Sequence, residues 1–248
     1  MTRSSVLAPQ SSGAPRSVCG LTSVPYKIRR SVRARHARLI VDAAGVELVL
    51  PERMRVEDVE EWVESRRPWV ERTLRRYEQA ASELPPIALR DGGSVPYLGE
   101  PLELRVLVES GRKRVHVKRE NDVLTAKIGR SGELEHALEN WYRARAFEEI
   151  GPRLDAAVAR AGRNYERLQI RAQKSRWGSC SSTGTLCFNW RLLMAPPGVL
   201  DYVVEHEVAH LDAPDHSTRF WAIVDERCPQ RREHERWLKR YGSALHLA

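Results

Sequence analysis

A chain of 248 residues, 42% apolar and 30% charged, has the make-up of a soluble globular protein with room for one sizeable core or two small domains. No run approaches the roughly 20 apolar residues of a membrane helix, and Cys19, Cys180, Cys187 and Cys228 form neither a CxxC pair nor a regular framework, so a reducing, cytoplasmic setting is expected. The net charge of +8 allows attraction to nucleic acid, but only 6 of the 41 basic residues are lysine, and base composition alone produces such an arginine excess.

Residues 1–24 are rich in Ser, Pro and Gly, lack an apolar stretch long enough for a signal peptide, and read as a disordered tail. Two short apolar runs at 38–41 and 46–50 flank Ala43-Ala44-Gly45 and predict a β-hairpin. Val56, Val59, Trp62, Val63, Val70, Leu74 and Tyr77 recur at helical spacing, which predicts a helix over 56–84. After Pro85-Pro86, strands are expected over 95–98, 102–108, 114–118 and 123–128, with Gly92-Gly93, Gly111 and Gly129 between them. A second helix is expected over 133–161 on the stripe Leu134, Leu138, Trp141, Tyr142, Ala146 and Ile150. Gly151-Pro152 should kink or divide it, because proline removes an interior hydrogen bond.

Further on, 169–172 is a strand candidate, and 177–181 with 185–193 reads as a hairpin turned at Ser182-Thr183-Gly184. Pro196-Pro197 sits where a helix over 198–211 begins, since the first turn leaves its N–H groups unpaired anyway. The expected fold class is α+β: a tail over 1–24, an N-terminal β-rich unit with a helix over 25–130, and a C-terminal part over 131–248.

The last helix contains HEVAH, residues 206–210. At about 100° per residue, His206 and His210 lie roughly 40° apart on one face, so two imidazoles converge on one ion with Glu207 beside them. With 8 histidines and 24 glutamates, a shuffled chain would contain HExxH roughly two or three times per hundred. Context must therefore carry the assignment. Leu200, Val204, Val208 and Leu211 cluster opposite the histidines, so the motif sits on a largely buried helix, where polar groups are costly without a partner.

His216 would point about 120° away on a continued helix. Pro214 instead pushes Ala213 out of helical geometry, and Ser217 is a ready N-cap for a helix over 218–228, so a short loop can return His216 to the ion. Three neutral imidazoles plus water form an open catalytic zinc arrangement, whereas structural sites are closed by four protein ligands. Glu226 is the runner-up third ligand. Ser179-Cys180 lies in no GxSxG elbow, Cys180 and Cys187 are expected to face each other across the hairpin as buried thiols, and His36, His116, His136, His234 and His246 occur singly, as surface histidines do.

The strings SRWGSC at 175–180, FNWRLLMAPPGVLDYVVEHEVAHL at 188–211, DHSTRFW at 215–221 and WLKRY at 237–241 resemble the YgjP-like metallopeptidases, a family close to the SprT-type zinc proteases. PYKIRRS and YLGEPLEL extend the resemblance to residues 25–243. It implies a zincin-like catalytic part with an HExxH helix and an adjacent hairpin, and one zinc ion held by His206, His210 and His216. Asp215 stands where that family often has asparagine. The expected reaction is peptide hydrolysis by metal-activated water with Glu207 as general base, on a peptide or protein substrate. Arg176, Asn189 and Arg191 are candidates for oxyanion or substrate binding, and the hairpin edge is a candidate for strand-wise substrate binding. The alternatives are a nucleic-acid-associated protein with a structural metal, for which Glu207 would have no use, and a metal-dependent hydrolase of a non-peptide amide.

Overall fold

A computed structural model describes residues 25–42, 45–173 and 176–247, so the expected tail and the Ala43-Ala44 turn lie outside the described residues. The chain divides by backbone contacts into two units, Met1–Arg76 and Tyr77–Ala248. The fold is mixed α+β, with three small sheets and six α-helices among the described residues. None of these helices is long and apolar enough to cross a membrane.

In the first unit β2 (Arg38–Asp42) and β3 (Gly45–Pro51) form the expected antiparallel pair. A further strand, β1 (Lys27–Ser31), joins β3 in parallel, giving the order β1-β3-β2. Apolar alternation could not reveal β1, because KIRRS holds a single apolar residue. Backbone pairing and the Arg29–Glu47 ion pair of 2.9 Å place it instead. Leu48 and Leu50 pack on Val59 and Val63. The helix expected over 56–84 is broken into α1 (Glu60–Ser65) and α2 (Arg67–Glu83). Pro68 has no N–H to continue the ladder, so the helix restarts with Trp69 and Val70 donating to the Arg66 carbonyl at 3.0 Å.

In the second unit β4 (Gly93–Tyr97), β5 (Glu100–Val108), β6 (His116–Glu120) and β7 (Val123–Ile128) form a four-stranded sheet of order β4-β5-β7-β6. Against it lies α3 (Leu134–Ala161), which runs unbroken through Pro152. Ile150 and Leu154 flank the proline and are fully buried. Packing of that kind outweighs the roughly 3 kcal/mol that an interior proline costs a helix.

The remaining elements surround the histidines. Strands β8 (Arg167–Arg171), β9 (Gly178–Cys180) and β10 (Thr185–Asn189) form a sheet of order β8-β10-β9, with β8 parallel and β9 antiparallel to β10. The second hairpin strand ends at Asn189 rather than 193, because Trp190–Met194 tightens into a 3-10 turn. Helix α4 (Pro197–Ala209) starts on proline as expected, and α5 (Thr218–Arg227) follows the loop. A last helix, α6 (Arg231–Tyr241), was hidden by its composition: RREHERWLKRY has no fully buried residue, and it lies over the cleft described below.

Ile150→Ala should cost about 2–5 kcal/mol of unfolding free energy, the usual loss for emptying a fully buried aliphatic position. Urea denaturation reads this as a lower midpoint with an unchanged m-value.

Candidate active site

Helix α4 carries His206 and Glu207 in its last turn and ends on His210 as its capping residue. Beyond it the amides of Leu211, Asp212 and Ala213 donate back to the carbonyls of Val208 and Ala209. After Pro214 the Ser217 hydroxyl accepts from the Phe220 amide at 3.4 Å and starts α5. This tight loop returns His216 so that its Nε2 lies 3.2 Å from Nε2 of His206. The nitrogens offered by His206, His210 and His216 lie within 4.8 Å of one another.

These spacings can be compared with what a metal requires. Ligands placed tetrahedrally at 2.0–2.1 Å from zinc are about 3.3–3.4 Å apart, close to the His206–His216 separation. Nδ1 of His210 lies 3.2 Å from the Ala213 carbonyl, an acceptor that holds the ring proton there and leaves Nε2 free. Glu207 Oε2 is buried without a hydrogen-bond partner, so the described protein groups do not satisfy this carboxylate by themselves. The donor set fits a divalent transition metal.

The electrostatics follow from burial. Desolvation draws His206 down to about 4, with His210, His216 and Arg231 adding repulsion. It lowers His210 too, against the opposing pull of the Ala213 carbonyl. Glu207 is pushed up to about 8 by burial, with Arg176 pulling the other way. Two aromatic side chains hold the imidazoles: Phe220 stacks on His210 at 4.5 Å and Trp221 on His216 at 5.6 Å. Arg231 in turn sits 4.4 Å above Trp221. Residue spacing gave no sign of this role; only the resemblance of the DHSTRFW string pointed to that stretch.

A second feature missing from the sequence reading is Gly178. A Cβ built there would lie 2.6 Å from Cγ and 2.7 Å from Cδ of Glu207, and closer still to its Oε1. Only glycine lets β9 approach the Glu207 carboxylate this closely. Tyr202, one turn before His206, is also at the site. Burial pushes its pKa up to about 12. Together β9, α4, the returning loop and α6 line a cleft of about 680 Å³ that holds all three histidines and Glu207.

Of the three residues expected to bind substrate, the structure brings Arg176 to this cleft and not the other two. Asn189 is spent on the backbone: its Nδ2 donates to the carbonyls of Gln173 and Arg176 at 2.8 and 3.2 Å, and its Oδ1 accepts from the Arg191 amide. Arg191 lies over the Trp190 ring at 4.6 Å. Glu226 is exposed on α5, outside the histidine group. Cys180 pairs with Leu186 and Cys187 with Ser179, so the two cysteines are one register step apart on opposite faces, and both are partly exposed rather than buried. Cys180 lines the cleft, and burial followed by Glu207 raises its pKa.

The chain belongs to the YgjP-like metallopeptidase domain family, which matches residues 35–241. That membership makes it a metallopeptidase. Two solved structures share part of it: the metallopeptidase zymogen of Pyrococcus abyssi abylysin, 27% identical over 36% of this chain and 92% of that one, with a TM-score of 0.34; and the metallopeptidase zymogen of Methanocaldococcus jannaschii jannalysin, 20% identical over 36% and 93%, with a TM-score of 0.33. At those TM-scores neither bears on the fold. No curated protein matches significantly.

Gly178→Ala should destabilise the protein by about 1–3 kcal/mol, as overpacking does. The same change in a Glu207→Ala background should cost less, by a coupling of about 0.5 kcal/mol or more, because the clashing carboxylate is gone. Denaturation of the four proteins of this cycle measures the coupling; additive losses would show that Gly178 is needed for some other reason.

Proposed function

We propose that this chain is a zinc-dependent metallopeptidase in which His206, His210 and His216 hold one zinc ion and Glu207 is the general base. The observation that carries the reading is the convergence of three imidazoles beside a buried carboxylate that has an unpartnered oxygen. A closed structural site has no use for that carboxylate, and a hydrolase does. The zincin-like description of residues 131–248 rests on the same grouping, with HEVAH on α4 and the β9–β10 hairpin beside it.

When bound, zinc supplies Lewis acidity that polarises the scissile carbonyl and acidifies water. Glu207 takes the proton of the attacking water on its carboxylate, which lies in the cleft. It returns that proton to the leaving amine as the carbon–nitrogen bond breaks. Its low-dielectric pocket matters here, because the carboxylate is not tied up by a cation in contact. Arg176 donates to the developing oxyanion from the cleft wall. The edge strand β9 offers free backbone groups along the cleft, to which an extended substrate adds as a further strand. Gly178 permits this closeness, since its missing side chain leaves both the carboxylate and the substrate backbone room.

Purified protein should carry about one zinc per chain, and His206→Ala/His210→Ala should carry none. In competition with a chromogenic chelator, His216→Ala should bind zinc at least about tenfold more weakly, while Glu226→Ala matches the wild type. Glu207→Gln should keep zinc and fold but lose about 10²–10⁴ in kcat across a broad peptide screen. Unchanged turnover in the zinc-replete variant would remove Glu207 from the mechanism. Cleavage of small amides but of no peptide would reassign the substrate class.

A further inference from the structure

Outside the cleft, a recess lies along the other edge of the same sheet. Strand β8 pairs with β10 on one side and has no strand on its other side among the described residues. Its outward N–H and C=O groups therefore form an open row of donors and acceptors, the template on which another strand adds. Native proteins usually blunt such an edge with a covering element or inward-pointing charge. Here a groove of about 700 Å³ runs beside it, lined by β8 itself, by Ala172 and Gln173, and by Arg143 and Phe147 of α3.

The groove has a defined chemistry. Phe147 is 57% exposed, unusual for an aromatic ring on a helix whose other large apolar residues are buried. Leu168 and Ile170 add apolar surface from β8. The lining holds two arginines and no carboxylate. Arg171 donates only to the neutral amide of Gln169 at 2.5 and 3.0 Å, and Arg167 makes no ion pair among the described residues. The neighbouring acids of α3 are already engaged: Glu139 by Arg143, Glu148 by Arg145, Glu149 by Arg153. Finally, Gln173 Oε1, at the end of the groove, is buried with no partner. It is an acceptor waiting for a donor.

We propose that the free edge of β8 is a docking site, separate from the histidine cleft, for an extended polypeptide segment in which acidic and apolar residues alternate. The segment adds to β8 through its backbone, sets apolar side chains on the face of Phe147 and Ile170, and presents carboxylates on the opposite face to Arg171. Alternation is required because successive side chains of a strand point to opposite faces. The choice of acidic over basic partners follows from Arg171, which meets only a neutral amide, and from a lining without any carboxylate. Docking here does not depend on a metal or on the catalytic reading.

The test uses the full chain and a fluorescein-labelled octapeptide of alternating Glu and Leu, followed by anisotropy. Saturable binding is expected, weakened by added salt and absent for the Lys–Leu counterpart. Methylating alternate backbone nitrogens of the peptide should abolish binding without changing its side chains. Arg171→Glu and, independently, Phe147→Ser should each weaken binding about tenfold. Both positions are exposed, and circular dichroism checks that the variants fold. His206→Ala/His210→Ala should bind as the wild type does. No saturable binding up to millimolar protein overturns the proposal. So does binding that survives both groove substitutions, tolerates backbone methylation, or disappears in the histidine variant, which would move the peptide to the cleft.

Discussion

Helix α4 sends Val199, Leu200, Val203, Val204 and Val208 into a core that leaves each at most 4% exposed, so a polar side chain on that buried side sits where water cannot satisfy it. Glu205 and Glu207, on either side of His206, are 6% and 5% exposed. An isolated buried carboxylate costs several kcal/mol, and the two are treated differently. Glu205 is paired with Arg160 of α3. Glu207 has no cation in contact, only the more distant pull of Arg176, and burial raises its pKa. A fold selected for stability alone would place an apolar residue there. Keeping an uncompensated carboxylate beside three imidazoles is the pattern expected where a proton must be moved.

Two ion pairs tie this helix to α3, and a third ties the loop after it to the residue beyond the α3 cap. Arg153 meets Asp201 at 3.0 Å, Arg160 meets Glu205, and Arg163 meets Asp212 at 2.7 Å. The last pair also acts beyond α4. Asp212 is shared with Arg227 of α5 at 2.8 Å, so the one carboxylate fixes the loop that returns His216 between two helices. Surface ion pairs are worth little singly, but Asp212 and Arg227 are only 11% and 19% exposed, which limits solvent screening.

Much of this was legible in the sequence because the signals were local. HEVAH on a helix begun by proline and Ser217 starting the next are short-range rules, and α4 and α5 begin where those rules put them, although α4 ends at Ala209, before Pro214 is reached. The strands of the β4–β7 sheet showed through alternation and intervening glycines. What stayed hidden depended on tertiary context. Strand β1 has too little apolar content to alternate, α6 is charged along its length, and Pro152 is overruled by burial on either side of it. Asn189 and Arg191 looked like free polar groups near the motif, and only the folded chain shows one bonded to backbone carbonyls and the other lying on an indole. Gly178 carries no side chain to attract notice, yet its empty volume is what Glu207 occupies.

Asn189 also explains how one small sheet can serve two edges. It ends the central strand β10 and grips the carbonyls of Gln173 and Arg176, at the two ends of the segment joining β8 to β9. The segment is thereby tied to the middle of the sheet at both ends. Arg176 is held at the cleft, and Gln173 at the groove beside β8, by one buried amide. Asparagine suits this task because its two N–H groups can serve two acceptors while its oxygen caps the following turn at Arg191. An oxyanion donor must instead keep an N–H free for substrate, and Asn189 has none to spare. The residue that looked like a substrate-binding group from its neighbourhood in the sequence is thus the one that ties Gln173 and Arg176 to the central strand.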